Sequence, residues 1–318
     1  MTTEGSGPSL AESALGLPAG LFPFASRHVL VAGCDVHVVD VGQGPVLFML
    51  HGNPTWSFLY RKLIRALAPR FRCVAIDLPG FGLSRAPAGY RYTPEAHRDV
   101  VVAVLDALDL RDATLVAHDW GGPIGLAAAL RRPQRLTAYV LGNTWAWPVN
   151  GDWHFESFSA LMGGPVGRWF ANRWNLFVRG FLPRAMRRAR LDATVLQAYA
   201  APFVHSGDAT GTHVFARSIV HSALFLAELA GRLGALDDRR MLLLWPDADV
   251  AFRHKELQHW QAIAPRARVV PIARCGHFLW EEADAEAVAA ILDWSATLSR
   301  GPGAPAGVRP PSAPGSRG

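Results

Sequence analysis

An α/β fold with a mostly parallel central sheet is what this sequence predicts, and three observations carry the prediction. Short apolar or β-branched runs recur along the chain between turn residues, and helical stretches separate several of them. The alternation stops once, between about 148 and 236, and resumes at Met241. The strand runs are "VHVVDVG" (36–42), "PVLFML" (45–50), "CVAIDL" (73–78), "ATLVAH" (113–118), "LTAYVLGN" (136–143), "MLLLW" (241–245) and "ARVVPI" (267–272). Strands that are apolar at nearly every position need cover on both faces, and "YRKLIRALAP", "TPEAHRDVVVAVLDALD" and "GPIGLAAALRRP" read as the helices that supply it. The first strands can pair antiparallel. The interruption holds aromatic and arginine-rich helical pieces with no convincing strand, so it reads as a helical cap lying over the sheet.

Composition divides the chain accordingly. Residues 1–20 are expected to be a flexible N-terminal segment, 21–147 with 237–298 a core domain, 148–236 the cap, and 299–318 a disordered tail built almost entirely of Gly, Pro, Ala, Ser and Arg. The formal net charge is +6, but the arginines are spread along the chain and Arg300, Arg309 and Arg317 sit in that tail, which argues against a nucleic-acid partner. The densest basic run, Arg179 to Asp192, reads as a solvated helix face. Cys34, Cys73 and Cys275 lie far apart with no Cys-x-x-Cys pair, which points to reduced thiols in a cytoplasmic protein and to no metal site. No signal peptide and no bilayer-length apolar run is evident, so no membrane partner is expected.

In open parallel sheets ligands bind beyond the carboxyl ends of the strands. The loops there are His51–Trp56, Asp77–Ser84, His118–Gly122, Asp247–Asp249 and "RCGHFLWEE" around His277. Gly121 and Gly122 after "HDW" suit a tight strand-to-helix turn, which lifts Asp119 out of the sheet at a helix N-terminus whose free N–H groups favour a negative charge. Asp119 is therefore expected to be ionised. A carboxylate so held attacks sp³ carbon well when the leaving group departs easily and water is excluded.

The ordered set "HGNPTWSFLYR", "DLPGFGLS", "HDWGGPIG" and "GHFLWEE" resembles the haloalkane dehalogenases of the α/β-hydrolase superfamily over about residues 25–298. The resemblance implies an α/β-hydrolase fold with a helical cap inserted after the sixth strand, no metal, no cofactor, and a small apolar halogenated substrate that reacts with water. It places the nucleophile at Asp119, the base at His277, and the halide donors at the Asn53 amide and the Trp120 indole. A departing halide needs no proton but does need its lost hydration replaced, and an indole N–H can only donate. His277 would activate water against the resulting ester, with the oxyanion on the backbone N–H groups of Trp120 and Asn53. The acid that orients His277 falls on Asp249, with Asp247 as fallback. Because "GNTWAWP" carries no acid, the set is most like the subfamily with two aspartates and an asparagine–tryptophan halide pair.

The nearest alternative is epoxide hydrolysis through the same Asp ester, but epoxide opening needs proton donors and the cap holds only Tyr199 where two tyrosines are typical. "HDWG" differs from the "HDRG" elbow of haloacetate dehalogenases, and Asp119 excludes a serine esterase at this elbow. A luciferase-like oxygenase and a non-catalytic ligand receptor share the fold. His118, His51 and Asp77 are expected to be structural. Of the aromatics Trp145, Trp147, Trp153, Phe155, Phe158, Trp169, Phe170, Trp174 and Phe177, roughly a third should line a pocket. An Arg- and Trp-rich cap could self-associate into a homo-oligomer.

Overall fold

The computed structural model describes residues 7–188 and 190–298. The strands are β1 (Ser26–Val31), β2 (Cys34–Val41), β3 (Val46–Leu50), β4 (Arg72–Ile76), β5 (Ala113–His118), β6 (Leu136–Gly142), β7 (Met241–Pro246) and β8 (Arg268–Ile272). They form one sheet in the order β1-β2-β4-β3-β5-β6-β7-β8. β2 is antiparallel to β1 and β4, and every pairing from β4 to β8 is parallel. The chain crosses from β3 to β4 on one side and from β5 to β6 on the other. The order therefore reverses between β3 and β5, and a crevice opens beyond their carboxyl ends.

β1 is absent from the apolar runs of the sequence because Arg27 and His28 interrupt it. As an edge strand it needs cover on one face only, and each of its residues is half-buried or exposed. The central strands β5, β6 and β7 are buried at nearly every position, which is why they read as continuous runs.

The helices are α1 (Leu10–Leu15), α2 (Arg61–Leu67), α3 (Pro94–Ala107), α4 (Gly121–Arg131), α5 (Trp153–Met162), α6 (Pro165–Trp174), α7 (Leu182–Ala185), α8 (Ala193–Ser206), α9 (Thr210–His221), α10 (Ala223–Ala230), α11 (His254–Ile263), α12 (Leu279–Glu282) and α13 (Asp284–Leu298). Those from α5 to α10 lie between β6 and β7, with a π-helical turn, Phe177–Phe181, leading into α7. α3 begins in a way its sequence dictates, with Thr93 capping and Pro94 in the first turn.

Two expectations are corrected. The segment 1–20 is not flexible throughout: Ser9 and Glu12 form a capping box on α1, Ala11 is fully buried, and the Glu12 carboxylate accepts from Phe22 N at 2.8 Å. The basic run is not a helix face. α7 stops at Ala185, and Arg187 and Arg188 donate their backbone N–H groups to Glu282, while Arg188 Nη1 reaches Glu286 at 2.7 Å. Acceptors on α12 and α13 outcompete continued helix. The expected tail, 299–318, lies outside the described residues.

The cap is tied to the core by buried polar contacts. Trp56 Nε1 donates to Ala198 O at 3.2 Å, and Tyr199 OH donates to Glu281, which is also paired with Arg61. Arg61 is 6% and Glu281 7% exposed, so removing one charge strands the other. Glu281→Ala should cost about 3 kcal/mol or more in urea denaturation, and the double variant Arg61→Leu/Glu281→Leu should recover part of that loss. Equal or greater destabilisation in the double variant would show that packing, not the charge pair, matters there.

Candidate active site

The loop after β5 turns sharply at Asp119, whose φ of 49° lies in the left-handed region. The turn closes because α4 begins at once on Gly121, where a Cβ would overlap the carbonyl oxygen of Leu50 in β3. Gly52, in the loop after β3, has no room for a Cβ beside the Asp119 carboxylate and Trp120 N, so the two loops approach closely. Asn53 N then donates to Asp119 Oδ1 at 2.7 Å, and the Trp120 N–H also bonds the carboxylate. Thr144 Oγ donates to Asp119 O at 2.7 Å, fixing the turn from β6.

The other carboxylate oxygen faces His277: Nε2 lies 4.0 Å from Asp119 Oδ2. Nδ1 of the same ring bonds Asp249 Oδ2 at 3.0 Å. Asp249 is held by Ala251 N at 2.7 Å and by Asn143 Nδ2 at 2.6 Å, and is 7% exposed. Asp247 is exposed and accepts from Arg274 N at 2.6 Å, so the fallback position does not orient the histidine. His277 N donates to Ala185 O at 3.0 Å and His277 O meets His118 Nε2 at 2.9 Å, so α7 and β5 together hold the loop that carries it.

Burial pushes Asp119 above its ordinary value, while His277 and the Trp120 and Asn53 N–H groups pull the other way. The expected stabilisation of its charge by the helix terminus is therefore outweighed. For His277 the balance is reversed. Burial lowers it, but Asp249, by charge and hydrogen bond, and Asp119 together raise it above the usual imidazole value. Asp249 lies below its ordinary value despite burial, because His277, Ala251 N and Asn143 all favour its charge.

These groups open into a cavity of about 390 Å³ walled by Trp145, Phe155, Phe158, Phe177, Phe181 and Phe252. Four of the nine aromatics considered from the sequence line it, while Trp153, Trp169 and Trp174 are exposed. Asn53 and Trp120 line it as well, but the one indole N–H and one of the two amide N–H groups are committed elsewhere. Asn53 Nδ2 donates to Thr212 O and Trp120 Nε1 to Phe215 O, both at 3.1 Å, and both carbonyls belong to α9. Asn53 Oδ1 is buried without a partner. The indole donor thus stands beside Asp119 but is engaged by α9, and the amide donor is engaged through one of its two N–H groups.

The remaining candidates are structural. His51 bonds Gly52 O through Nδ1 and accepts from Leu78 N at Nε2, each at 2.9 Å. Asp77 accepts from Ser57 N and Leu83 N. His118 is pushed down to about 3 by burial, which keeps it neutral. Among the described residues no group of three or more His, Cys, Asp or Glu could hold a metal, and no single helix is long and apolar enough to cross a membrane. Sequence reasoning missed Asn143, although it stands directly after β6, where the strand-end rule would have found it. It also missed the α9 carbonyls, which no local motif announces.

Comparison with known proteins fits this geometry. A family model described as alpha/beta hydrolase fold matches residues 45–284. Haloalkane dehalogenase 2 of Mycobacterium tuberculosis is 38% identical over 275 residues, covering 86% of this chain and 96% of the relative. A cis-3-alkyl-4-alkyloxetan-2-one decarboxylase of Shewanella oneidensis is 32% identical over 289 residues, covering 85% and 88%. Among solved structures, the haloalkane dehalogenase DatA from Agrobacterium tumefaciens superposes with a TM-score of 0.77 at 28% identity, covering 89% of this chain and 99% of that one.

Proposed function

The chain belongs to the alpha/beta hydrolase fold family and, within it, to the haloalkane dehalogenases, and from that premise we propose that it hydrolyses small apolar haloalkanes through an alkyl ester on Asp119. The observation that carries the assignment is the split environment of that carboxylate. Oδ1 is held by the N–H group of Asn53, the Trp120 N–H also favours the charged carboxylate, and Oδ2 stands beside His277.

Oδ2 displaces halide from an sp³ carbon in line, forming the C–O bond as the carbon–halogen bond breaks with its electron pair. The aromatic walls exclude water that would otherwise solvate the nucleophile. The halide takes over the N–H groups of Asn53 and Trp120. The carbonyls it displaces sit inside α9, where the helix supplies its own donors, so the exchange leaves them paired. Esterification removes the Asp119 charge, one of the causes that raise His277, so the imidazole becomes easier to deprotonate when a base is required. Water between Nε2 and the ester gives His277 a proton and attacks the ester carbon. The oxyanion forms on Oδ1, already seated on the Asn53 N–H with the Trp120 N–H beside the carboxylate, and collapse releases alcohol and restores Asp119.

Bromide, hexanol and acid released from 1-bromohexane in equal amounts would support the proposal, and no bromide from any primary or secondary bromoalkane would end it. Trp120→Phe should lower kcat/KM for carbon–bromine cleavage by about a hundredfold. An unchanged value would mean that the indole N–H belongs to α9 alone.

The pH dependence follows from the direction of the Asp119 shift. Attack needs Asp119 ionised, so kcat/KM for bromoalkanes should fall as pH drops through a midpoint above the ordinary carboxylate value. A midpoint at or below that value would contradict the role of burial at Asp119.

The decarboxylase relatives favour a second reading. In an oxetan-2-one the bond at the alkyl-bearing ring carbon joins sp³ carbon to a carboxylate leaving group, which is the same displacement. Loss of carbon dioxide would then return the bonding pair of Asp119 and leave an alkene. Alkene from a cis-dialkyl oxetanone, at a rate exceeding that of bromoalkane hydrolysis, would favour this reading. Epoxide opening gains nothing from the structure: Tyr199 is fully buried against Glu281, and among the described residues no tyrosine lines the cavity.

A further inference from the structure

We propose that the cap carries a second binding site, for the carboxylate end of an amphiphilic substrate whose halogenated carbon lies at Asp119; the proposal rests on the dehalogenation assigned above. A groove of about 680 Å³ lies on the far side of the cap wall from the catalytic cavity. That wall is the turn Phe177–Phe181 with α7. Phe177, Phe181 and Ala185 face the catalytic cavity, while Leu176, Arg179 and Gly180 line the groove. Arg184 lines both spaces.

The charge of the groove is unbalanced. Arg173, Arg179 and Arg184 line it against one carboxylate, Asp208, and none of the three arginines has a carboxylate partner among the described residues. Arg184 Nη1 donates at 2.7 Å to the carbonyl of Gly180, a residue that lines the groove, which leaves its other N–H groups available. Asn175, at the C-terminus of α6, also lines the groove. It is 8% exposed, and neither atom of its side-chain amide has a partner. An amide left so inside a protein is costly unless a ligand engages it. A cavity reserved for neutral haloalkanes has no use for a guanidinium at its wall. A linear substrate with an anionic end does: its chain lies along the aromatic cavity and the aliphatic stem of Arg184, and its carboxylate meets the guanidinium beyond.

The chemistry is that of the main reaction. An ω-bromoalkanoate and water give the ω-hydroxyalkanoate, bromide and a proton.

The test compares kcat/KM for ω-bromohexanoate, ω-bromooctanoate and ω-bromodecanoate with that for the methyl ester of each, so that any general loss in a variant cancels in the ratio. The acid should be preferred about tenfold at the chain length that spans the wall. Arg184→Met, which keeps the stem, and Arg179→Gln should each bring the ratio toward one. Calorimetric binding of decanoate, which needs no turnover, should weaken about tenfold in Arg184→Met. A wild-type ratio of one or less at every length, or a preference that survives both substitutions, overturns the proposal. If neither acids nor esters react, the assigned activity has failed, and decanoate binding alone decides the site: loss in Arg184→Met upholds it and unchanged binding rejects it.

Discussion

Asp119→Asn is expected to abolish turnover of bromoalkanes, lowering kcat/KM by at least about ten-thousandfold, while leaving the protein as stable as before or slightly more so. The two halves of this result have one cause. Burial raises Asp119 above its ordinary value, so the folded protein holds the charged carboxylate less comfortably than the unfolded chain does. A group raised in this way favours folding at low pH, and that contribution is lost as pH rises through the folded value. At neutral pH the wild type therefore carries a cost that a neutral amide does not. The gain, about 1 kcal/mol, should be present above the raised value and vanish below the ordinary carboxylate range. Asparagine also tolerates the positive φ at this turn and keeps an oxygen for Asn53 N. Thermal denaturation at several pH values, run beside bromide release, checks both halves. A folded variant with wild-type activity would remove Asp119 from the reaction, and a large loss of stability would show that the carboxylate is structural.

The strands were legible where burial makes every position apolar. β5, β6 and β7 came through because both their faces are covered, and β1 did not because Arg27 and His28 are tolerated at an exposed edge. The order of strands follows from chain-crossing geometry, which no single run encodes. At the site, the strand-end rule pointed to the loops that carry Asp119, His277 and Asp249, the resemblance picked those residues within them over neighbours such as Asp247, and the sheet brings such loops together however distant they are in sequence. The N–H partners of Asn53 and Trp120 were not, since they depend on where α9 lies across the sheet. The Arg179–Asp192 run misled for a related reason: local spacing suggested a helix, but Glu282 and Glu286, nearly a hundred residues downstream, supply better partners for the backbone and side chain of Arg188.

His277→Phe should separate the two chemical steps, because only the second needs a proton acceptor. Displacement of bromide consumes the Asp119 charge and creates none that requires a base. The variant should therefore release about one equivalent of bromide from 1-bromohexane and then stop. Intact mass should show the chain heavier by one hexyl group, and peptide mapping should place it on Asp119. The ester should persist because water between Nε2 and the carboxylate has lost the group that takes its proton, while Asp249, held by Ala251 N and Asn143, has lost the imidazole through which it acts. Loss of the imidazolium also removes a charge that lowers Asp119, so the acid limb of the bromide burst should move to higher pH than that of the wild type. An adduct formed only from an epoxide would move the activity to that substrate class. Continued turnover without an adduct would mean that the ester is not hydrolysed through His277.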